Sequence, residues 1–209
     1  MPEGLAPPPP KPLKSGGRRK IPAKKFDPAA DRRKRQLGSE GESWALAAMI
    51  DPFLAMTPDD RAAAIDEVLG LVAQLEGAAD LARAHAEAAR DPSADGEALI
   101  EALAGLLHLS EYSDSFGFDM LGWIAPDGHE GRATLLEVKS SADGSFHLSP
   151  NEWRCAEEAE FDYSVLVVRR SAGRSVPKSL DLLNDPVALV KRNDLDRSPD
   201  GYLLRYVST

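Results

Sequence analysis

One carboxylate set in an apolar run, followed at hairpin distance by Glu-Val-Lys, constrains this chain more than any other feature. Residues 116–141 read FGFDMLGWIAPDGHEGRATLLEVKSS. The pattern predicts a strand over about 116–124, a turn at Pro126-Asp127-Gly128 and a second strand over about 132–140. Side chains alternate faces along a strand, so Glu137 and Lys139 share one side while Leu136 and Val138 take the other. Asp119 falls in mid-strand among Phe118, Met120 and Leu121. A charge there is costly unless it is paired, hydrated at a sheet edge or bound to a metal. Two carboxylates and an ammonium group beside a sheet suit a Mg²⁺ (or Mn²⁺) site that cuts phosphodiesters. The competing readings are two surface carboxylates at a sheet edge and a salt bridge from Lys139 to either of them.

Around this hairpin the elements follow in a simple order. Ser39 and Glu42 have capping-box spacing, so a first helix is expected to start near Ser39 and stop at Asp51-Pro52. Thr57-Pro58 opens another, with Ile65, Val68, Leu69, Val72 and Leu75 on one face. That helix is expected to continue to Arg90, where Asp91-Pro92 ends it. A further helix carries Leu99, Ile100, Leu103, Leu106 and Leu107. After the hairpin come a short strand at Ser145–Leu148 and a helix begun by a second capping box, Ser149-Pro150-Asn151-Glu152. A buried strand spans Tyr163–Arg169, a loop or strand spans Leu180–Val190, and an edge strand spans Tyr202–Val207. Helices, three strands, a helix and a strand make an α/β layer fold, with α+β as the alternative.

Charge divides the chain. Residues 1–38 hold 11 Lys and Arg against 3 Asp and Glu, whereas residues 39–209 hold 14 against 31. Residues 1–37 are rich in Pro, Gly, Lys and Arg and read as a disordered basic arm, with Pro7–Pro10 locally in polyproline II. Lys20, Lys24, Lys25, Arg32, Arg33, Lys34 and Arg35 are its candidate nucleic-acid contacts; the plain alternative is a solvated tail. An acidic body repels phosphates, so it disfavours DNA binding away from a local cation. The single cysteine, Cys155, permits no intrachain disulfide and suits a reducing, cytoplasmic compartment. The proline run stands where a secretory signal would need an apolar core, and no stretch approaches the ~20 apolar residues of a membrane span.

The ordered set of Glu42, Gly117-Phe118-Asp119, Glu137-Val138-Lys139, a helix and another strand resembles the PD-(D/E)xK nuclease core. More narrowly, GFDMLGW, LLEVKSS, HLSPNEWRCA and YSVLVV resemble the NO VEIN C-terminal domain, an Mrr-like group. The likeness covers about residues 38–190. It implies a restriction-endonuclease-like core with a mixed sheet flanked by helices, and a domain over 38–209. The helices over about 52–109 are then an insertion. It implies an endonuclease acting on DNA in restriction or defence, beside a helicase or another subunit. Some members of such groups have lost cutting, so an adaptor for protein or nucleic-acid partners is the alternative, and an RNA-directed nuclease a third. Oligomeric state is open.

On this reading Asp119 and Glu137 hold Mg²⁺. Lys139 orients or deprotonates the attacking water. Glu42 reaches the metal or its waters, with Glu40 as alternate, although the capping box alone explains Glu42. Asn151 hydrogen-bonds a phosphate or a metal-bound water, while Glu152 is read as a cap and Trp153 as core. His85, His108, His129 and His147 show no metal spacing. Ser140 and Ser141 are placed to donate to phosphate oxygens. No Gly-rich phosphate loop is present, so nucleotide hydrolysis is not expected.

Overall fold

The computed structural model describes residues 28–73, 79–108, 117–124, 131–159, 162–171, 177–198 and 203–206. Helix α1 (Pro28–Ala55) starts eleven residues before the expected Ser39 and runs through Pro52. Proline at its first position loses no hydrogen bond, and the following Ala, Arg, Lys, Gln and Leu residues favour helix. Ser39 and Glu42 therefore lie mid-helix and form no capping box; the Ser39 carbonyl instead accepts the Ser43 hydroxyl at 2.9 Å. The 37/38 boundary of the predicted arm falls inside this helix, which includes Arg32, Arg33, Lys34 and Arg35. Lys20, Lys24, Lys25 and Pro7–Pro10 lie outside the described residues, as does the turn at Pro126-Asp127-Gly128.

Helix α2 (Pro58–Val72) begins as expected, with the Thr57 hydroxyl accepting the Asp60 N–H at 3.2 Å. The single helix predicted to reach Arg90 is two, because α3 (Ala79–Arg90) follows as a separate element. Helix α4 (Gly96–Leu107) buries Leu99, Leu103, Leu106 and Leu107. This is the 3.6-residue stripe of an amphipathic helix.

The main sheet has the order β1-β2-β4-β5, formed by β1 (Met120–Ile124), β2 (Arg132–Ser141), β4 (Tyr163–Arg170) and β5 (Pro177–Asn184). β1 and β2 are antiparallel, β2 and β4 parallel, and β4 and β5 antiparallel. The sheet is thus mixed, and helices flank it: α1 and α2 pack on β1 and β2, while α5 (Pro150–Ala159) and α6 (Pro186–Lys191) pack on β4. Residues 133–138 of β2 are all buried, as are 163–168 of β4, so both faces of these strands are covered. A second sheet, β3-β7-β6, joins β3 (Phe146–His147), β7 (Leu203–Tyr206) and β6 (Leu195–Arg197). The segment read as one loop or strand over 180–190 divides at Asp185. This residue takes a left-handed conformation, and its side chain caps α6 by accepting the Ala188 N–H at 2.8 Å.

One contact sets the angle of α1. Arg170 at the end of β4 bonds Glu40 at 2.8 Å and donates to the Leu37 carbonyl at 3.1 Å. Ser140 at the end of β2 donates to the same carbonyl at 3.1 Å. Gly41 makes this approach feasible, since a Cβ there would lie 2.5 Å from the Ser140 hydroxyl.

Candidate functional site

Asp119 does not lie mid-strand. Its N–H donates to the Leu136 carbonyl at 3.0 Å, while Met120 also pairs with Leu136. Asp119 thus precedes β1 yet stays tied to β2 through its backbone. The Asp119 carboxylate then takes the acceptor place that backbone would have filled, receiving the Val138 N–H at 2.7 Å. The preceding loop is held by Gly117, whose φ of +78° is left-handed and whose Cβ, if present, would lie 3.1 Å from the Cys155 Cβ. The buried Tyr163 hydroxyl donates to the Gly117 carbonyl at 3.0 Å.

Glu137 and Lys139 share a face, as strand alternation requires, and their head groups meet at 2.5 Å. Lys139 also bonds Glu152 at 3.0 Å. The second capping box forms: the Ser149 N–H donates to Glu152 at 2.6 Å, and the Glu152 N–H to the Ser149 hydroxyl at 3.2 Å. Glu152 is thus both a cap and the second anion of Lys139, a role that strand and helix patterns alone do not disclose.

These groups border a pocket of about 580 Å³, lined by Glu42, Asp119, Glu137 and Glu152, with Ser39, His108, Ser149 and Asn151 around them. Glu137 is 3% exposed. Burial pushes its carboxyl up to about 9; Lys139 opposes this, and Asp119 and Glu152 add to it. Burial also raises Asp119, against the Val138 N–H and Lys139, with Glu42 adding to the rise. Asp119 and Glu137 border the same pocket, and each charge bears on the other's protonation. Burial disfavours the Lys139 ammonium, but Glu137 and Glu152 outweigh it and hold Lys139 above its ordinary value.

Glu42 lies 3.7 Å from the His108 imidazole. With the capping box gone, its place on the pocket wall is what distinguishes it. Glu40, the alternate, is committed to Arg170, whose hydrogen bond lowers its pKa. His108 was not found by motif reasoning, because it reaches the pocket from the end of α4, a tertiary placement. Asn151 lines the pocket and accepts from Arg154 at 2.8 Å. Trp153 is buried, donates to Glu157 at 2.7 Å and lies under the Arg197 guanidinium at 4.3 Å. Ser141 turns into its own loop, donating to the Ser145 carbonyl at 2.7 Å and accepting the Gly144 N–H. Ser140 is spent on α1. His147 is exposed, and Cys155 is half-buried, with burial lifting its thiol to about 11.

Glu42, Asp119, Glu137 and Glu152 supply the carboxyl oxygens of the pocket wall. Among the described residues no group of three or more His, Cys, Asp or Glu is arranged as a metal site. No described helix is long and apolar enough to cross a membrane.

Fold and site together define a mixed α/β protein with an acidic pocket at the end of a β-hairpin. Residues 97–180 match the family model described as Protein NO VEIN, C-terminal. The resemblance seen in GFDMLGW, LLEVKSS and SPNEW therefore stands over that segment. The match covers less than half of the chain and starts inside α4, so it overlaps the block drawn as an insertion. Of the pocket residues, only Ser39 and Glu42 lie outside it. No curated protein and no solved structure matches the chain.

Proposed function

We propose that this pocket hydrolyses DNA phosphodiester bonds with Mg²⁺ (or Mn²⁺) held by Asp119 and Glu137. The supporting observation is that these two desolvated carboxyls line one pocket, with the Lys139 ammonium against Glu137. The donor set fits: Mg²⁺ binds through one or two carboxylates and keeps several waters, so a third protein ligand is not required. When bound, the ion supplies charge for a phosphate to approach a pocket otherwise lined by four carboxyl groups.

The chain's own residues do the rest. The Val138 N–H fixes the Asp119 carboxylate beside the start of β1. Two of the three Lys139 donors engage Glu137 and Glu152, leaving one for a phosphate oxygen or the attacking water. Glu42 and Asn151 border the space the sugar-phosphate chain would occupy. A setting in restriction or defence, beside a helicase or another subunit, rests on the family likeness and is part of the same proposal. An adaptor that has lost cutting is the second reading, favoured by the internal commitment of Lys139 to two glutamates.

Plasmid DNA incubated with Mg²⁺ or Mn²⁺ tests this. Nicking by the wild type that disappears in Glu137→Ala and Lys139→Ala supports the enzyme. No nicking by the wild type, with divalent-ion affinity unchanged in Glu137→Ala, leaves the adaptor.

A further inference from the structure

Pairing across the main sheet shows where α1 stops covering it. Ser140, which donates to the Leu37 carbonyl of α1, pairs with Val168, and Val168 pairs with Leu180. Val138, Leu166 and Leu182 form the next row on the same face. Residues opposite one another share a face, so Leu180 and Leu182 stand on the α1 side of the sheet. Val138, Leu166 and Val168 are buried there, whereas Leu180 and Leu182 on β5 are 38% and 37% exposed. Trp44, 40% exposed, lies one turn from Glu40, whose bond to Arg170 turns that side of α1 toward β4. It adds apolar surface on the flank of α1 nearer β5. Among the described residues no strand lies beyond β5. Sheet edges are ordinarily blunted by charge, proline or a bulge. β5 has these only at its start, in Pro177, Lys178 and the irregular pairing at Arg170. Over residues 179–184 the sole charge is Asp181, and Arg169 holds it at 2.7 Å on the face away from α1.

We infer that β5 pairs, antiparallel, with β5 of a second copy of this chain, continuing the main sheet through a two-fold axis. The interface is separate from the pocket and does not depend on what the pocket does. The strand is complementary to itself in one register, with Leu180 opposite the partner's Leu180. Lys178 then lays its methylene stem along the partner's Leu182, and the Ser179 hydroxyl meets the partner's Asp181 carboxylate. A two-residue slip one way sets Asp181 against the partner's Asp181, and like charges directly opposite destabilise. The same slip the other way sets Leu180 against the partner's Lys178 and carries Leu182 past the end of the partner strand. A one-residue slip moves one copy's leucines to the other face. Charge also selects this partner. Residues 39–209 hold 14 Lys and Arg against 31 Asp and Glu, so most surfaces of two copies repel one another. β5 sets one Lys178 against one Asp181 and is neutral, so two acidic bodies can meet along it.

The test is light scattering on the purified full chain, over concentrations from ~1 to ~100 µM. The wild type should reach twice the mass of one chain within that range. Leu180→Asp and Leu180→Lys each set like charges opposite one another at the two-fold axis. Each should weaken association by roughly thirtyfold or more and stay at the mass of one chain. Mixed in equal amounts, the two variants should associate again, because opposite charges then meet. Circular dichroism and thermal melts check that both keep the wild-type fold, as substitution at an exposed position should allow. A wild type that keeps the mass of one chain at the highest concentration would overturn the inference. So would a dimer that neither substitution weakens. A mixture that fails to associate would overturn it too, since the rescue depends on residue 180 facing its own copy.

Discussion

Glu137→Gln should make the metal-free protein more stable, and increasingly so as pH rises. Glu137 is buried, with its carboxyl raised to about 9 from an ordinary value of 4.5. Between those values the folded chain keeps a proton that the unfolded chain loses, so stability conferred by the wild-type residue falls as pH rises through that window. Glutamine has the same shape and no proton to lose. Its advantage should grow by up to about 1.4 kcal/mol per pH unit, or about 3 kcal/mol from about pH 6 to about pH 8. Lys139 at 2.5 Å makes that an upper bound. For a chain of this size it corresponds to a difference of roughly 5–10 °C in Tm between the two pH values. Thermal unfolding of both proteins in EDTA across that range measures it. Parallel Tm curves would refute the reasoning, because they would mean that Glu137 ionises in the folded protein as it does in water.

Three further outcomes follow from the same geometry. Gly117→Ala should destabilise the chain by about 1–2 kcal/mol, since alanine is strained at φ +78°; in urea melts it should also weaken stabilisation by Mn²⁺, because the loop that presents Asp119 must shift. Tyr163→Phe should cost about 1–2 kcal/mol in the same melts by leaving the Gly117 carbonyl without its buried donor. Lys139→Ala should lose about 1–3 kcal/mol of stability yet bind Mn²⁺ more tightly by calorimetry, because the carboxyls it leaves have no internal cation.

Features governed by neighbours in sequence were legible before the fold was known. Alternation along β2 placed Glu137 beside Lys139, and the Ser149–Glu152 box formed because both halves lie within one turn. The same motif failed at Ser39–Glu42. A capping box states a local preference, and the proline start with Ala, Arg and Lys behind it carried the helix through that point from Pro28. The place of Asp119 just outside β1 was hidden because side-chain alternation does not fix where a strand begins. His108 and the second role of Glu152 depend on how α4 and α5 dock, which the spacing of either residue does not encode. The left-handed turn at Asp185 divides β5 from α6 inside a segment, Leu180–Val190, whose apolar pattern alone does not show where strand gives way to helix.

The most direct measurement is calorimetric titration of Mn²⁺ into the wild type, Asp119→Asn, Glu137→Gln and Glu40→Gln. One ion per chain, lost in the first two variants and retained in Glu40→Gln, is the expected result. Binding that survives in both Asp119→Asn and Glu137→Gln would contradict the account, since the cation would then sit somewhere other than between these two carboxyls.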